Sequence, residues 1–354
     1  MPRGRGSAEN PVGRFDSLER TADLEQVAHD GEYLAALERP PTRYMSDASR
    51  SIVSENDSPD IAFRYSVNPY RGCEHGCAYC YARPTHEYLG HSGGLDFESV
   101  IYVKEHAPAL FRERLAKKDW AGEPIAFSGV TDCYQPIERE KRLTRGCLEV
   151  ARDCGQPVTI VTKNALVTRD LDILAEMAAK NLARVGVSIT TLDAGLARSL
   201  EPRTSTPTAR LRAIRELADA GVPVRVMHAP VIPGLNDEEM PAVLAAAKEA
   251  GATAANYVML RLPWSVRPVF LDWLEQCAPT KRDRVLNRIG SVRGGKLNDP
   301  RFGDRHRGEG VHADAIADTF KLFTRKLGLD VKRPPLSRGH FRRPGRPGQK
   351  RLFD

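Results

Sequence analysis

The stretch Asn68-Pro-Tyr-Arg-Gly-Cys-Glu-His-Gly-Cys-Ala-Tyr-Cys-Tyr-Ala82 sets Cys73, Cys77 and Cys80 at a Cys-x3-Cys-x2-Cys spacing, directly after a strand-like run over Tyr65–Tyr70. Gly72 and Gly76 let the backbone curl so that the sulfurs converge. Thiolates are the usual ligands of iron–sulfur clusters, and a four-iron cluster takes one protein ligand per iron. Three cysteines therefore leave one iron open to chelate a substrate or cofactor. The alternative is a structural zinc site, which wants four ligands and would need His75, His86 or His91 to complete a Cys3His set. Zinc folds normally supply a second pair of closely spaced ligands, and none follows here.

Downstream of the cysteines, short β-branched runs alternate with helix-period segments. The runs are Ile125–Phe127, Val158–Thr162, Val185–Thr190, Val222–His228 and Ala255–Leu260. The segments between them are Pro108–Lys118, Leu143–Cys154, Arg169–Lys180, Thr208–Ala220 and Glu238–Ala250. Gly221 and Gly251 supply helix stops. Such alternation implies parallel strands joined by crossovers. With Tyr65–Tyr70 the count reaches about six units, which predicts an α/β fold, a partial (β/α)6 TIM-type barrel with N- and C-terminal extensions. A doubly wound open sheet would share the alternation. Either way, reactive groups gather at the carboxyl ends of the strands.

The expected organisation is a partly ordered extension over residues 1–60, with one helix around Leu24–Leu37, then a core barrel over 61–265. A helical and Gly-rich region follows over 266–330, and a disordered basic tail over 331–354. The net charge is +7, and residues 331–354 carry eight basic residues against one acid, so the basic character belongs to the tail. The sequence pI is therefore no sign of a nucleic-acid-binding face on the globular part. No apolar run approaches the roughly 20 residues that cross a bilayer, and Met1–Arg20 has no apolar signal region. These features place the chain in the cytoplasm, where clustered cysteines are more often metal ligands or catalytic thiols than disulfides.

With an aromatic residue, Tyr79, just before the third cysteine, the motif resembles the signature of the radical S-adenosylmethionine (SAM) superfamily. The resemblance implies that a [4Fe-4S] cluster on Cys73, Cys77 and Cys80 chelates the amino and carboxylate groups of SAM. One electron then cleaves the sulfonium to methionine and a 5′-deoxyadenosyl radical that abstracts hydrogen from substrate. An external electron donor of the flavodoxin or ferredoxin type is implied as well. Cofactor contacts fall on successive strand ends. Phe127-Ser-Gly-Val-Thr-Asp-Cys133 replaces a Gly-Gly-Glu-like turn and offers Ser128, Thr131 and Asp132. Lys163 suits a carboxylate or ribose, and Ser188 is similar to a ribose-contacting serine. Arg203, in Glu201-Pro-Arg203, suits the SAM carboxylate, because a guanidinium pairs bidentately with that group. Ala229-Pro-Val-Ile-Pro-Gly-Leu-Asn-Asp237 resembles the segment that lines the adenine.

Asn68-Pro-Tyr-Arg-Gly-Cys73, Thr131-Asp-Cys-Tyr-Gln-Pro136, Glu201-Pro-Arg203 and Pro233-Gly-Leu-Asn-Asp237 together resemble the branch around spore photoproduct lyase, over about residues 61–325. That branch places a hydrogen-donating cysteine at a position similar to Gly129. Cys133, four residues later, is either a shifted donor or a packing residue, and Cys147, Cys154 and Cys277 fall in helical patterns. Arg293-Gly-Gly-Lys-Leu-Asn-Asp299 and Arg301–Gly310 form a polar loop that either closes the barrel mouth and holds a phosphate or simply connects. In the tail, Gln349, Leu352 and Phe353 resemble the peptide by which bacterial proteins grip the DNA sliding clamp, and a solvated basic tail is the alternative. The expected activity is reductive SAM cleavage with radical chemistry on nucleic acid, such as a DNA lesion. A protein or small-molecule substrate is the second reading, and a non-enzymatic metal-stabilised DNA- or clamp-binding module the third.

Overall fold

A computed structural model describes residues 1–16 and 40–345 of the chain. The helix expected over Leu24–Leu37 and the clamp-like residues Gln349, Leu352 and Phe353 lie outside them.

Ten strands run through the described residues. In chain order they are β1 (Arg43–Ser46), β2 (Val53–Glu55), β3 (Tyr65–Val67), β4 (Tyr70–Arg71), β5 (Val100–Val103), β6 (Ile125–Phe127), β7 (Val158–Thr162), β8 (Ala183–Ser188), β9 (Val224–Val231) and β10 (Ala254–Met259). The main sheet has the order β10-β9-β8-β7-β6-β3-β2. Its members from β3 onward pair in parallel, and β2 closes the edge antiparallel to β3. The fold is thus a partial (β/α)6 barrel of six parallel strands, as the alternation predicts. A small sheet, β1-β5-β4, lies beside it, and β4 carries the chain into the cysteine loop.

Period-two alternation decides which face of each strand is dry. Ile125, Phe127, Val158, Ile160, Val185, Val187, Val224 and Val226 are buried in one apolar core with the surrounding helices. The intervening Val161 is 40% exposed, so the opposite face lines an open lumen. The helices are α1 (Ala107–Ala116), α2 (Leu143–Cys154), α3 (Leu171–Ala179), α4 (Pro207–Asp219) and α5 (Met240–Glu249), followed by α6 (Val266–Cys277), α7 (Arg282–Ser291) and α8 (Val311–Leu327). Helix α2 shows the logic: Leu143, Cys147, Leu148, Val150, Ala151 and Cys154 form its buried stripe, and Gly155 stops it at φ 59°. Helix α4 starts on Thr206, whose side chain accepts from the Ala209 amide, with Pro207 in its first turn. Cys147 and Cys154 are core residues, whereas Cys277 at the end of α6 is exposed.

One segment differs from the sequence expectation. Residues 331–345 were expected to be disordered, but they lie along the amino-terminal base of the barrel. Arg342 donates its amide to Cys154 O (2.7 Å), Arg338 pairs with Glu123 (2.8 Å), and Leu336 is buried. The docking combines main-chain bonds with the Arg338 and Arg343 side chains and the apolar Leu336 and Phe341, a set too sparse in sequence to form a pattern. Within the amino-terminal extension, Gly6 rests against Gly76 and Ala78 of the cysteine loop, and Arg14 pairs with Glu87 just beyond it.

The fit at Gly155 tests the docked tail. A Cβ there would stand 2.1 Å from His340 O on a left-handed backbone. Gly155→Ala should cost about 1–2 kcal/mol in urea unfolding and speed hydrogen exchange over residues 336–343. Unchanged exchange there would show that the tail is not seated.

Candidate functional site

The loop after β3 is fixed by its backbone. Gly72 (φ 75°) and Gly76 (φ 63°) take left-handed turns that a Cβ would oppose. The Cys73 amide donates to Phe97 O (2.9 Å), the Glu74 amide to Gln135 Oε1 (2.9 Å) and the Ala78 amide to Leu200 O (3.0 Å). Arg83, fully buried, holds the carbonyls. Its Nε and Nη2 donate to Cys77 O (3.1 and 3.0 Å), Nη2 also to Gly76 O (3.3 Å), and Nη1 to Gly93 O and Gly94 O (3.1 and 2.8 Å).

Cys73 and Cys77 are buried and Cys80 is partly so. Burial pushes all three thiols up, and Cys73 and Cys77 are raised further by neighbouring cysteines. Thiols that sense one another within a dry loop suit a multinuclear cationic group, which would replace their protons. Among the described residues, no three His, Cys, Asp or Glu side chains close around a single-ion position. A cluster that takes each thiolate on a different iron does not require one.

Two of the three histidines considered for zinc are engaged elsewhere, whereas His86 lies beside Gly72 with both ring nitrogens buried and, among the described residues, without a hydrogen-bond partner. His75 lies between Asp132 (3.4 Å) and the Asn164 side chain (3.3 Å), and His91 Nε2 meets the Tyr102 hydroxyl (2.9 Å). His86 packs edge-on to Phe97, and burial and His91 push its pKa down to about 4.

Around the loop the strand ends bring together a charged ring that the sequence resolved only partly. Asp132 after β6 is its hub: Oδ1 accepts from the Thr162 hydroxyl (2.8 Å) and the Tyr134 amide (2.9 Å), and Oδ2 from the Lys163 amide (2.8 Å). Lys163 after β7 carries its ammonium over the Tyr79 ring (5.6 Å). Across the loop, Glu201 and Arg210 form a buried ion pair that also engages the Tyr79 and Thr190 hydroxyls. Burial pushes the Glu201 carboxyl up, but Arg210, Lys163 and hydrogen bonds from Thr190 and Tyr79 more than offset it and hold it below the usual range. Burial and the neighbouring Cys77 and Glu201 push the Tyr79 phenol well up.

The other expected contacts are spent on the protein itself. Ser128 sits at φ 67° and accepts from the Cys133 amide (2.9 Å), and Thr131 donates to Tyr70 O (2.9 Å). The Ser188 hydroxyl donates to Ala229 O (2.9 Å) and is fully buried, so it presents no surface to a ligand. Arg203 is directed to Gly4 O (3.2 Å), Thr42 Oγ1 (3.1 Å) and Glu74 (3.5 Å), so its guanidinium is already paired and does not stand free for a carboxylate. Cys133 is fully buried in the apolar core with Tyr134, Cys147 and Leu148, and its thiol lies against Ser128 and Thr144. In this arrangement it faces the helical layer rather than the lumen. A Cβ on Gly129 would meet Ser66 Cβ at 2.6 Å, so that position does not accommodate a cysteine in its place either.

Sequence reasoning missed Tyr81 and Arg261. Tyr81, next to Cys80 and half exposed, donates to Gly129 O (2.9 Å). Arg261, just beyond β10, meets His306 through Nη1 (3.3 Å), and among the described residues its buried Nε has no hydrogen-bond partner. The polar loop over 293–310 does lie at this end of the barrel. Arg293 donates to Leu260 O (2.6 Å), and Arg305 pairs with Asp60.

The profile of the Radical SAM superfamily matches residues 67–247. An uncharacterized protein of Mycobacterium tuberculosis is 40% identical over 65% of this chain and 69% of its own length. An uncharacterized protein of Methanocaldococcus jannaschii is 31% identical over 50% of this chain and 63% of its own. Among solved structures, spore photoproduct lyase complexed with dinucleoside spore photoproduct shares the fold at TM-score 0.56 and 18% identity, over 89% of this chain and 85% of that one.

The buried pair makes a quantitative test. Arg210→Ala leaves Glu201 enclosed without its cation and should cost about 3–5 kcal/mol in denaturant unfolding. Arg203→Ala, at a partly exposed position, should cost about 1 kcal/mol or less. Equal costs would contradict this assignment.

Proposed function

Since this chain belongs to the radical SAM superfamily, enzymes that use a [4Fe-4S] cluster and SAM, we propose that Cys73, Cys77 and Cys80 ligate three irons of that cluster and that the fourth iron binds SAM. The observation that carries this reading is the immobilised loop: three thiols in one dry turn whose carbonyls are held by Arg83. When bound, the reduced cluster and SAM would supply one-electron cleavage of the sulfonium.

The residues of the chain do the rest. Lys163, held by Asp132 through its own amide, presents a cation beside Tyr79 and the thiols, where a carboxylate or ribose of SAM would dock. The Glu201–Arg210 pair fixes Tyr79 and keeps water from that flank. An external one-electron reductant of the flavodoxin or ferredoxin type supplies the electron.

For the substrate we propose nucleic acid. Arg261, which forms no ion pair among the described residues, and the exposed rings of Tyr81 and Phe302 lie around the same strand ends. Guanidinium groups interleaved with exposed aromatic rings are what a phosphate backbone and unstacked bases engage. The fold shared with spore photoproduct lyase supports a DNA lesion as the first class to try.

The test is an anaerobic assay of iron- and sulfide-reconstituted protein with dithionite and SAM. Wild type should release 5′-deoxyadenosine, and Cys77→Ala should fall to background. Irradiated DNA should raise the rate. Release that ignores DNA would sink the nucleic-acid reading and move attention to a protein or small molecule, whereas no release would sink the whole proposal. In DNA binding, Arg261→Ala should lessen the salt slope of log K by about 0.9, the share of one phosphate contact.

A further inference from the structure

The first residues of the chain form no helix or strand, yet Arg5 and Ser7 are buried, at 3% and 1% exposure. They lie on the ligand loop itself. A Cβ on Gly6 would stand 1.6 Å from Gly76 O and 3.2 Å from the Ala78 nitrogen, so two backbones touch on either side of Cys77. Gly76 is equally confined from the other side, because a Cβ there would lie 2.0 Å from Glu98 Oε2. Only glycine fits at either place.

Glu98 joins these parts. Its carboxylate, fully buried, accepts from the Gly6 amide (3.0 Å) and the Ser7 amide (2.8 Å) and faces Arg83 at 3.6 Å. Arg83 in turn holds the carbonyls of Gly76 and Cys77. Arg5 returns the connection by donating to Glu98 O, Pro40 O (2.6 Å) and Thr42 Oγ1 (3.1 Å). Arg203, expected at the cofactor, instead holds Gly4 O. Farther along, the Leu95 amide donates to Glu9 O (3.1 Å), and Asn10 exchanges hydrogen bonds with Asp96.

We propose that Gly4–Ser7 is a strap that forms one wall of the cluster site, and that Glu98 is the positioning residue that seats it. The inference rests on the cluster reading above. The strap excludes water from the backbone of Gly76–Ala78 and restricts the loop that carries Cys77. Its opening is a local event, separate from unfolding of the barrel, and it sets how readily oxygen or a chelator reaches the metal.

The experiment compares reconstituted wild type with Gly6→Val, Glu98→Gln and a chain beginning at Asn10. The readouts are the loss of cluster absorbance in air, iron retained against a chelator, hydrogen exchange at residues 73–80 and the global unfolding midpoint. For Gly6→Val and the shortened chain the expected result is bleaching about 10-fold faster, equivalent to about 1.4 kcal/mol of easier opening, with faster exchange at Gly76–Ala78 and a midpoint close to wild type. Glu98→Gln should bleach faster too, but with a lowered midpoint, because it leaves the buried Arg83 guanidinium without its counter-charge. Adding the Met1–Asp16 peptide to the shortened chain should slow bleaching again. If the shortened chain does not fold, Gly6→Val decides. Bleaching and exchange in Gly6→Val equal to wild type would overturn the strap. Should wild type take up no cluster, the cluster reading fails, and exchange in the metal-free protein still shows whether the strap covers the loop.

Discussion

The ligand loop depends on one buried guanidinium. Arg83 lies at the end of the cysteine motif and turns back to donate to the carbonyls of Gly76, Cys77, Gly93 and Gly94. Those carbonyls sit in a tight turn where neither helix nor sheet can satisfy them, and leaving one buried without a partner costs about 1–3 kcal/mol. An arginine suits this task because its planar fork offers several donors in fixed directions, whereas a lysine would offer a point charge. Burying that cation is itself costly unless it is paired, and Glu98 supplies the counter-charge. The cysteines can converge because the backbone carrying them has no freedom left.

The same device recurs on the opposite flank. Glu201 and Arg210 are buried together, and Tyr79, between two cysteines of the motif, is tied to that pair. Two buried ion pairs thus bracket the loop, one through Gly76 and Cys77 and the other through Tyr79. Asp132 adds a third anchor by aligning the ends of β6 and β7, and this places Lys163. The strand ends supply charge and the core behind them supplies rigidity. The chemistry is therefore confined to one rim of the barrel, where parallel strands deliver their carboxyl ends.

Much of this was legible in the sequence. The alternation of β-branched runs with amphipathic helices gave six parallel strands within a few residues of their bounds, because burial on one face imposes a period. The cysteine spacing, with Gly72 and Gly76 inside it, marked the loop. What escaped was carried by backbone contacts or by distant partners. Arg203 was a fair candidate for a carboxylate by residue type, but Gly4, Thr42 and Glu74 reach it first, and no local pattern announces that. Glu98 lies eighteen residues beyond Cys80 in a stretch with no motif. Gly6 looks like a flexible leader until Gly76 is placed against it, and the base-docked residues 331–345 look like a solvated tail because the carbonyls and carboxylate that their arginines reach are distant in sequence. Cys133 was weighed as either donor or packing residue, and its place in the core with Cys147 and Leu148 favours packing.

The central claim is that three cysteines hold a four-iron cluster whose remaining iron is reserved for SAM. Mössbauer spectroscopy of the iron-loaded protein, recorded with and without SAM, tests it most directly. The account predicts a [4Fe-4S] spectrum in which one iron in four changes its parameters when SAM is added. A spectrum in which SAM alters no iron, or a protein that retains zinc and no cluster, would contradict it.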